Sequence, residues 1–147
     1  MEFNFQNLDG FIDDNKHYYP LKVFYEDTDA GEIVYHSNYL KYLERGRSEF
    51  LYKLGYNHQN LLQSLNFYFV VKHIDIDFKL PAYFEDILDV ETKIHEISKV
   101  KIIFNQSIFR EKNLLIDSKI LITPVNDKGK IVKMPIEMLD KLQLSKI

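Results

Sequence analysis

The feature that most constrains this chain is a change of hydrophobic period. Between Tyr39 and Leu54, the residues Tyr39, Leu40, Leu43, Phe50, Leu51 and Leu54 fall at helical spacing and mark one face of an amphipathic helix. Beyond it the period becomes two. Ile74, Ile76, Phe78 and Leu80 alternate with His73, Asp75, Asp77 and Lys79 until Pro81 ends the run. Similar runs follow from Ile87 to Ile97, with Leu88, Val90, Thr92 and Ile94 on one face, from Val100 to Phe109, and from Leu114 to Val125. A strand with one apolar face needs a core on that side, and strands this close in sequence pair antiparallel. The expectation is an α+β chain in which one long helix lies across one face of an antiparallel sheet.

Local signals set the flanks. Tyr18 to Tyr25 reads as a first strand, with Pro20 near its start. Ser37 or Asn38 is placed to cap the long helix, Gly55 follows its last periodic residue, and Glu49 and Lys53 form an i,i+4 pair. Gly46 lies on or beside the apolar stripe, where glycine costs about 0.5–1 kcal/mol relative to alanine. Two readings stand: simple tolerance, or close approach of helix and sheet. His58 to Leu65 reads as a short second helix, Asn126 to Gly129 as a turn, and Pro135 as the first residue of a closing helix, a strand being the other reading of that end. At 147 residues the chain suits one domain. Residues 1–18 read as a polar arm carrying Asp9, Asp13 and Asp14, in which Phe3, Phe5, Phe11 and Ile12 could pack; residues 19–147 form the folded domain.

Composition removes several function classes. There is no cysteine, which excludes disulfides, zinc–thiolate sites and a thiol nucleophile. A formal net charge of −3 gives nothing to steer the molecule to nucleic acid or an anionic membrane. No apolar run approaches the roughly 18–20 residues of a membrane span, and the first residues lack the basic start and apolar stretch of a secretory signal. A cytoplasmic location is expected. The five histidines show no ligand spacing, so no metal and no cofactor is expected.

The chemistry-bearing stretch is Tyr25-Glu26-Asp27-Thr28-Asp29-Ala30-Gly31-Glu32-Ile33-Val34-Tyr35-His36-Ser37-Asn38-Tyr39-Leu40, which joins the first strand to the helix. It holds a carboxylate, Asp29, able to act as base or nucleophile. It holds a helix start, with unpaired N–H groups and partial positive charge, and an imidazole, His36, at that start. Asp-Thr-Asp is also ordinary turn chemistry, and a histidine at this place is also an ordinary cap or surface residue.

Three blocks carry a resemblance: Phe24 to Gly31; Ile33 to Leu40; and Glu44-Arg45-Gly46-Arg47-Ser48-Glu49-Phe50. Phe69-Val70-Val71-Lys72, Asp77-Phe78-Lys79-Leu80-Pro81-Ala82 and Asp86 add to it. Together, from about Tyr19 to Val125, they resemble the YbgC and 4-hydroxybenzoyl-CoA thioesterase family. The resemblance implies a hotdog fold, a curved antiparallel sheet wrapped around the long helix. It also implies hydrolysis of an acyl-CoA thioester, with acyl carrier protein as a further possible partner, and a dimer or tetramer with sites between subunits. It matches Asp29 to the catalytic aspartate, as nucleophile or as general base. It matches the His36 backbone N–H to the donor that polarises the thioester carbonyl, and Tyr25 and the His36 side chain to site positions.

One position departs from the family pattern. Glycine usually stands three residues after the aspartate; here that place is Glu32 and Gly31 comes one earlier, so either the loop shifts or the turn uses Gly31. Lys72, Lys79, Lys99 and Lys101 are candidates to meet CoA phosphates, although any one of them also reads as a solvated strand lysine. A hotdog dehydratase is the alternative enzyme, but no His-Phe-Pro motif is present. A non-catalytic acyl-binding protein is the alternative class.

Overall fold

The computed structural model describes residues 8–147. In chain order the elements are β1 (Phe11–Asp13), β2 (Lys16–Lys22), a single 3-10 turn (Tyr25–Asp27), α1 (Asn38–Lys53), α2 (His58–Leu65), β3 (Tyr68–Phe78), β4 (Ile87–Ser98), β5 (Lys101–Arg110), β6 (Asn113–Val125) and α3 (Ile136–Leu144). All six strands form one antiparallel sheet in the order β1-β2-β4-β5-β6-β3. The α+β hotdog architecture expected from the sequence is the one found.

The sheet curls around α1. Register shifts at Val71/His73, Ile94/Glu96 and Ile108/Phe109 mark bulges, which bend strands and increase their twist. The helix buries Tyr39, Tyr42, Leu43, Gly46, Arg47, Phe50 and Leu51 against the concave face. Tyr42, Leu43 and Phe50 are almost fully excluded from solvent, and a large apolar side chain so buried contributes about 1.5–3 kcal/mol. Gly46 decides between its two readings. A Cβ there would stand 2.7 Å from Val90 Cγ1 and 3.1 Å from Thr92 Oγ1. Glycine is the close approach of helix to β4, not a tolerated cost.

The C-terminal end of α1 follows its sequence signal. Gly55 turns left-handed (φ 96°), its N–H donates to the Tyr52 carbonyl, and the Tyr56 N–H donates to the Leu51 carbonyl. The N-terminal end does not. Ser37 is already helical and its hydroxyl caps nothing, while the Asn38 side-chain amide reaches back to the Asp27 carbonyl at 2.9 Å. Lys53 does not pair with Glu49; it reaches Asp9 at 3.1 Å.

The expected arm boundary at residue 18 falls inside β2. Residues 11–22 form a hairpin on the sheet, turned by Asp14 and Asn15, both at positive φ. Phe11 stacks on Tyr18, and His17 is buried against Phe50. Phe3 and Phe5 lie outside the described residues. Strand β3 begins earlier than its alternation suggests, at Tyr68, and α3 begins just after Pro135 as expected, which makes the closing element a helix.

Candidate active site

The segment between β2 and α1 folds as a tight loop that carries Asp29 at its turn and runs directly into the helix start. The 3-10 turn is fastened by Asp27, whose Oδ2 accepts the Phe24 N–H at 2.8 Å. Thr28 and Val34 then pair as an antiparallel bridge, and the Tyr35 N–H donates to the Asp27 carbonyl at 2.9 Å. The hairpin closes at Asp29. Its N–H donates to the Ile33 carbonyl, and its own carbonyl accepts the Glu32 N–H, both at 3.0 Å. Glu32 takes the left-handed conformation (φ 64°), whereas Gly31 has no positive φ. The turn therefore does not use Gly31 for a left-handed residue; Glu32, at the place where the family pattern has glycine, takes that conformation itself.

The two aspartates of the segment have different work. Asp27 is fastened into the backbone on both its carboxylate and its carbonyl. Asp29 is exposed, and of its carboxylate oxygens Oδ1 accepts the Gly31 N–H at 2.8 Å. No acceptor among the described residues takes the other bonding capacity at the helix start: the His36 and Ser37 N–H groups have no partner there, while the Asn38 N–H donates to the Tyr35 carbonyl. These are the orphan donors at a helix N-terminus, where the partial positive charge lies.

His36 is exposed, 4.5 Å from Tyr35 and 6.4 Å from Phe78 between ring centroids. It opens on a cavity of about 270 Å³ lined also by Ile33, Tyr39, Phe78, Leu80 and Pro81. Tyr25, 78% exposed, packs edge-on to Phe84 and lines a different cavity of about 310 Å³ with Thr28, Glu32 and Tyr83. Asp29 sits at the turn of the Thr28–Val34 hairpin and His36 two residues beyond it, while Tyr25 and His36 line separate cavities. Of the four lysines, Lys79 lines the His36 cavity, Lys101 is paired with Glu96 at 3.2 Å, and Lys72 and Lys99 are exposed.

Sequence reasoning did not single out Tyr39 and Phe78 as cavity walls. Tyr39 is buried, its ring 5.8 Å from that of Phe78, and burial raises its phenol pKa. Its hydroxyl accepts the Ala82 N–H at 3.0 Å. The spacing of Tyr39 and Phe78 carried no signal for this, because His36 lies before the helix that begins at Asn38 and Phe78 comes from a distant strand.

The sequence and the fold find their match among known proteins. The sequence profile of the thioesterase-like superfamily matches residues 23–142. The acyl-CoA thioesterase YbgC of Haemophilus influenzae is 40% identical over 118 residues, covering 80% of this chain and 86% of that protein. This chain belongs to the thioesterase-like superfamily. Another member named acyl-CoA thioesterase YbgC, from Helicobacter pylori, is 43% identical over 93 residues, 63% of this chain and 66% of that one. The superfamily fold recurs in the crystal structure of a probable thioesterase from Bartonella henselae, with a TM-score of 0.80 and 33% identity over 82% of this chain and 99% of that one.

Proposed function

We propose that this thioesterase-superfamily chain hydrolyses acyl-CoA at the Asp29 hairpin. The chain is a thioester hydrolase, as its YbgC relatives are named; what is proposed is how its residues act. The observation that carries the reading is that one short segment holds an exposed carboxylate, Asp29, and the His36 and Ser37 N–H groups, which have no acceptor among the described residues. The thioester carbonyl oxygen would take the His36 N–H. As a nucleophile or water adds to the acyl carbon, negative charge develops on that oxygen, where a preorganised donor and the helix dipole stabilise it. Asp29 supplies the attacking oxygen, or removes the proton of the attacking water. Where water attacks, the C–S bond breaks, the proton taken by Asp29 passes to the departing sulfur, and CoA thiol and free acid leave. Where Asp29 attacks, CoA departs and leaves an acyl–Asp29 anhydride, which a water molecule hydrolyses to the free acid and the carboxylate.

The His36 imidazole stands at the mouth of the cavity and would orient water or bond the thioester. The apolar cavity behind it, walled by Tyr39, Phe78 and Leu80, suits the carbon chain next to the thioester. Tyr25 would act from the neighbouring cavity that it lines with Thr28 and Glu32. Lys79 is the lysine best placed for a CoA phosphate. Acyl carrier protein remains a possible carrier of the acyl group.

Assembly is part of the reading. The chain leaves β3 as an eleven-residue open edge, and beside it a groove of about 370 Å³ between α1 and β3 exposes Leu40, Val71 and Ile74. Open edges and uncovered apolar side chains favour a partner strand. A homodimer joined along β3, paired again into a tetramer, accounts for both features. Among the described residues no helix is long and apolar enough to cross a membrane, and we place the enzyme in the cytoplasm. The test is thiol release from a panel of aliphatic and aromatic acyl-CoAs by the wild type and by Asp29→Asn. Release that Asp29→Asn abolishes supports the reading. Release by neither protein favours a binding role, and equal release by both removes Asp29 from the chemistry. Light scattering giving a monomer mass at micromolar concentration would remove the assembly.

A further inference from the structure

The loop from Pro81 to Asp86 touches both halves of the catalytic device. Its Ala82 carbonyl accepts the Val34 N–H at 2.9 Å, and Tyr83 pairs with Ile33, so it holds the return arm of the hairpin that carries Asp29. Its Ala82 N–H donates to the Tyr39 hydroxyl at 3.0 Å, so it also holds the first turn of the helix whose start offers the His36 N–H. Ala82 is fully buried between the two. The distance between carboxylate and carbonyl donor therefore depends on where this loop stands.

One side chain from elsewhere fastens the loop. Arg110 is the last residue of β5, next to the tight turn into β6. Its Nη1 donates to Asp86 Oδ2 at 2.7 Å and to the Pro81 carbonyl at 3.0 Å, joining the two ends of the loop through one nitrogen. The guanidinium lies over the Tyr83 ring, 5.5 Å from its centroid, and Asp86 Oδ2 also accepts the Tyr83 N–H at 2.8 Å. Both charged side chains are largely shielded, with 26% and 21% of their side-chain surface exposed, so their attraction is less screened than that of a surface pair.

We propose that Arg110 is a positioning residue for thioester hydrolysis, holding Asp29 and the His36 N–H in register through the Pro81–Asp86 loop. Arg110 touches no reacting atom in this scheme. The inference rests on the proposed roles of Asp29 and the His36 N–H. Misplacement of reacting groups by about 1 Å can cost about 100-fold in rate, whereas loss of a salt bridge for stability alone leaves turnover per folded molecule unchanged.

The experiment compares full-length Arg110→Gln, Arg110→Lys and Asp29→Asn on the best acyl-CoA of the panel, with the folded fraction read from thermal melts. Arg110→Gln should lower kcat by about 10–100-fold with KM within about threefold. Arg110→Lys should restore part of the loss, because one nitrogen makes both bonds and an ammonium can replace it, while the stacking on Tyr83 is given up. Should Arg110→Gln fail to fold, Asp86→Asn carries the test with the same expected loss, since it keeps an oxygen for the Tyr83 N–H and drops the charge. Normal kcat per folded molecule in Arg110→Gln, or a loss confined to KM, overturns the inference. So does an Arg110→Lys variant no better than Arg110→Gln. If Asp29→Asn itself turns over normally, the catalytic assignment has failed instead, and the two failures are told apart.

Discussion

Two polar clusters flank the long helix, and they are built on opposite plans. Beneath its middle, Arg47 is buried and donates to Gln106 Oε1 at 2.9 Å. The Gln106 amide nitrogen donates to the Leu43 carbonyl and to Thr92 Oγ1, each at 2.9 Å. Both donors and the acceptor of that amide are used, and burial lowers the Arg47 pKa to about 10, so the guanidinium stays charged at neutral pH. At the helix start, Asp29 is exposed and the N–H groups of His36 and Ser37 have no acceptor among the described residues. The buried groups are paired, and the cost of an unmade bond there falls on stability; in the proposed reaction, the open groups at the helix start would find their partner in the substrate.

The largest expected effect breaks the open cluster. Asp29→Asn is nearly isosteric and keeps an acceptor for the Gly31 N–H, so it should fold and assemble. It has lost the charge, and turnover should fall by at least the roughly 10²–10⁴-fold typical of acid–base catalysis. Asp27→Asn, two residues earlier, keeps an oxygen for the Phe24 N–H and should stay within about threefold of wild-type turnover, with its effect confined to stability. Steady-state turnover with melts as the folding control separates the two. A dead Asp27→Asn beside an active Asp29→Asn would reverse the assignment.

The buried cluster should answer in stability and not in rate. Gln106→Leu leaves the Arg47 guanidinium without its acceptor and Thr92 Oγ1 without its donor, which should cost about 2–4 kcal/mol. For a chain of this size that is a melting temperature lower by roughly 4–16 °C. Turnover per folded molecule at 25 °C should hardly change. A large loss of turnover with a normal melt would show that this cluster belongs to the site.

How much of this was legible in the sequence depends on the range of the interactions. The ends of α2 and the Gly55 stop of α1 were readable, because caps and periodicity are local. The four later strands were readable for the same reason. The first half of β3 was not: the bulge between Val71 and His73 shifts the alternation, so Tyr68 to Val71 fall out of phase with the run that follows. The Asp14-Asn15 turn carried a hairpin signal that acidic composition disguised. The sheet order, with β3 returning to the far side of β6, leaves no local trace. The Asp29 and His36 assignment came from motif spacing, while the Arg110–Asp86 bracket spans 24 residues and two elements, and no pattern in the sequence joins them.

Between the two clusters stands His17, buried like one and incompletely paired like the other. Its Nε2–H donates to the Asp9 carbonyl at 2.7 Å, but Nδ1 has no partner among the described residues. Desolvation lowers its pKa below 6.5; Asp9 opposes the shift and Lys53 adds to it. The neutral ring is favoured in the fold, so below pH 6.5 the unfolded chain binds the proton more readily and stability falls as pH drops through the window beneath that value. His17→Phe keeps a ring to stack on Phe50 and cannot titrate. Its melting temperature should decline less than the wild type's between pH 7 and pH 5. Parallel declines would assign the acid sensitivity to other groups.

The smallest effect concerns the turn that carries Asp29. Glu32 holds a left-handed conformation (φ 64°) in which a Cβ crowds the backbone, at a cost of about 1–2 kcal/mol. Glycine removes that crowding and gives back part of the gain as flexibility of the unfolded chain, about 0.5–1 kcal/mol. Glu32→Gly should therefore raise stability by about 0.5–1 kcal/mol. Glu32→Ala keeps a Cβ and should not. Because Asp29 is held by its own bonds to Ile33, Glu32 and Gly31, turnover of Glu32→Gly should remain within about twofold. The comparison of glycine with alanine isolates the backbone from the side chain: both remove the carboxylate, and only one relieves the φ. If alanine stabilises as much as glycine, the cost at this position lies in the glutamate's charge near Asp29 and not in the conformation. If glycine stabilises but turnover falls, the constrained turn is itself part of how the carboxylate is aimed.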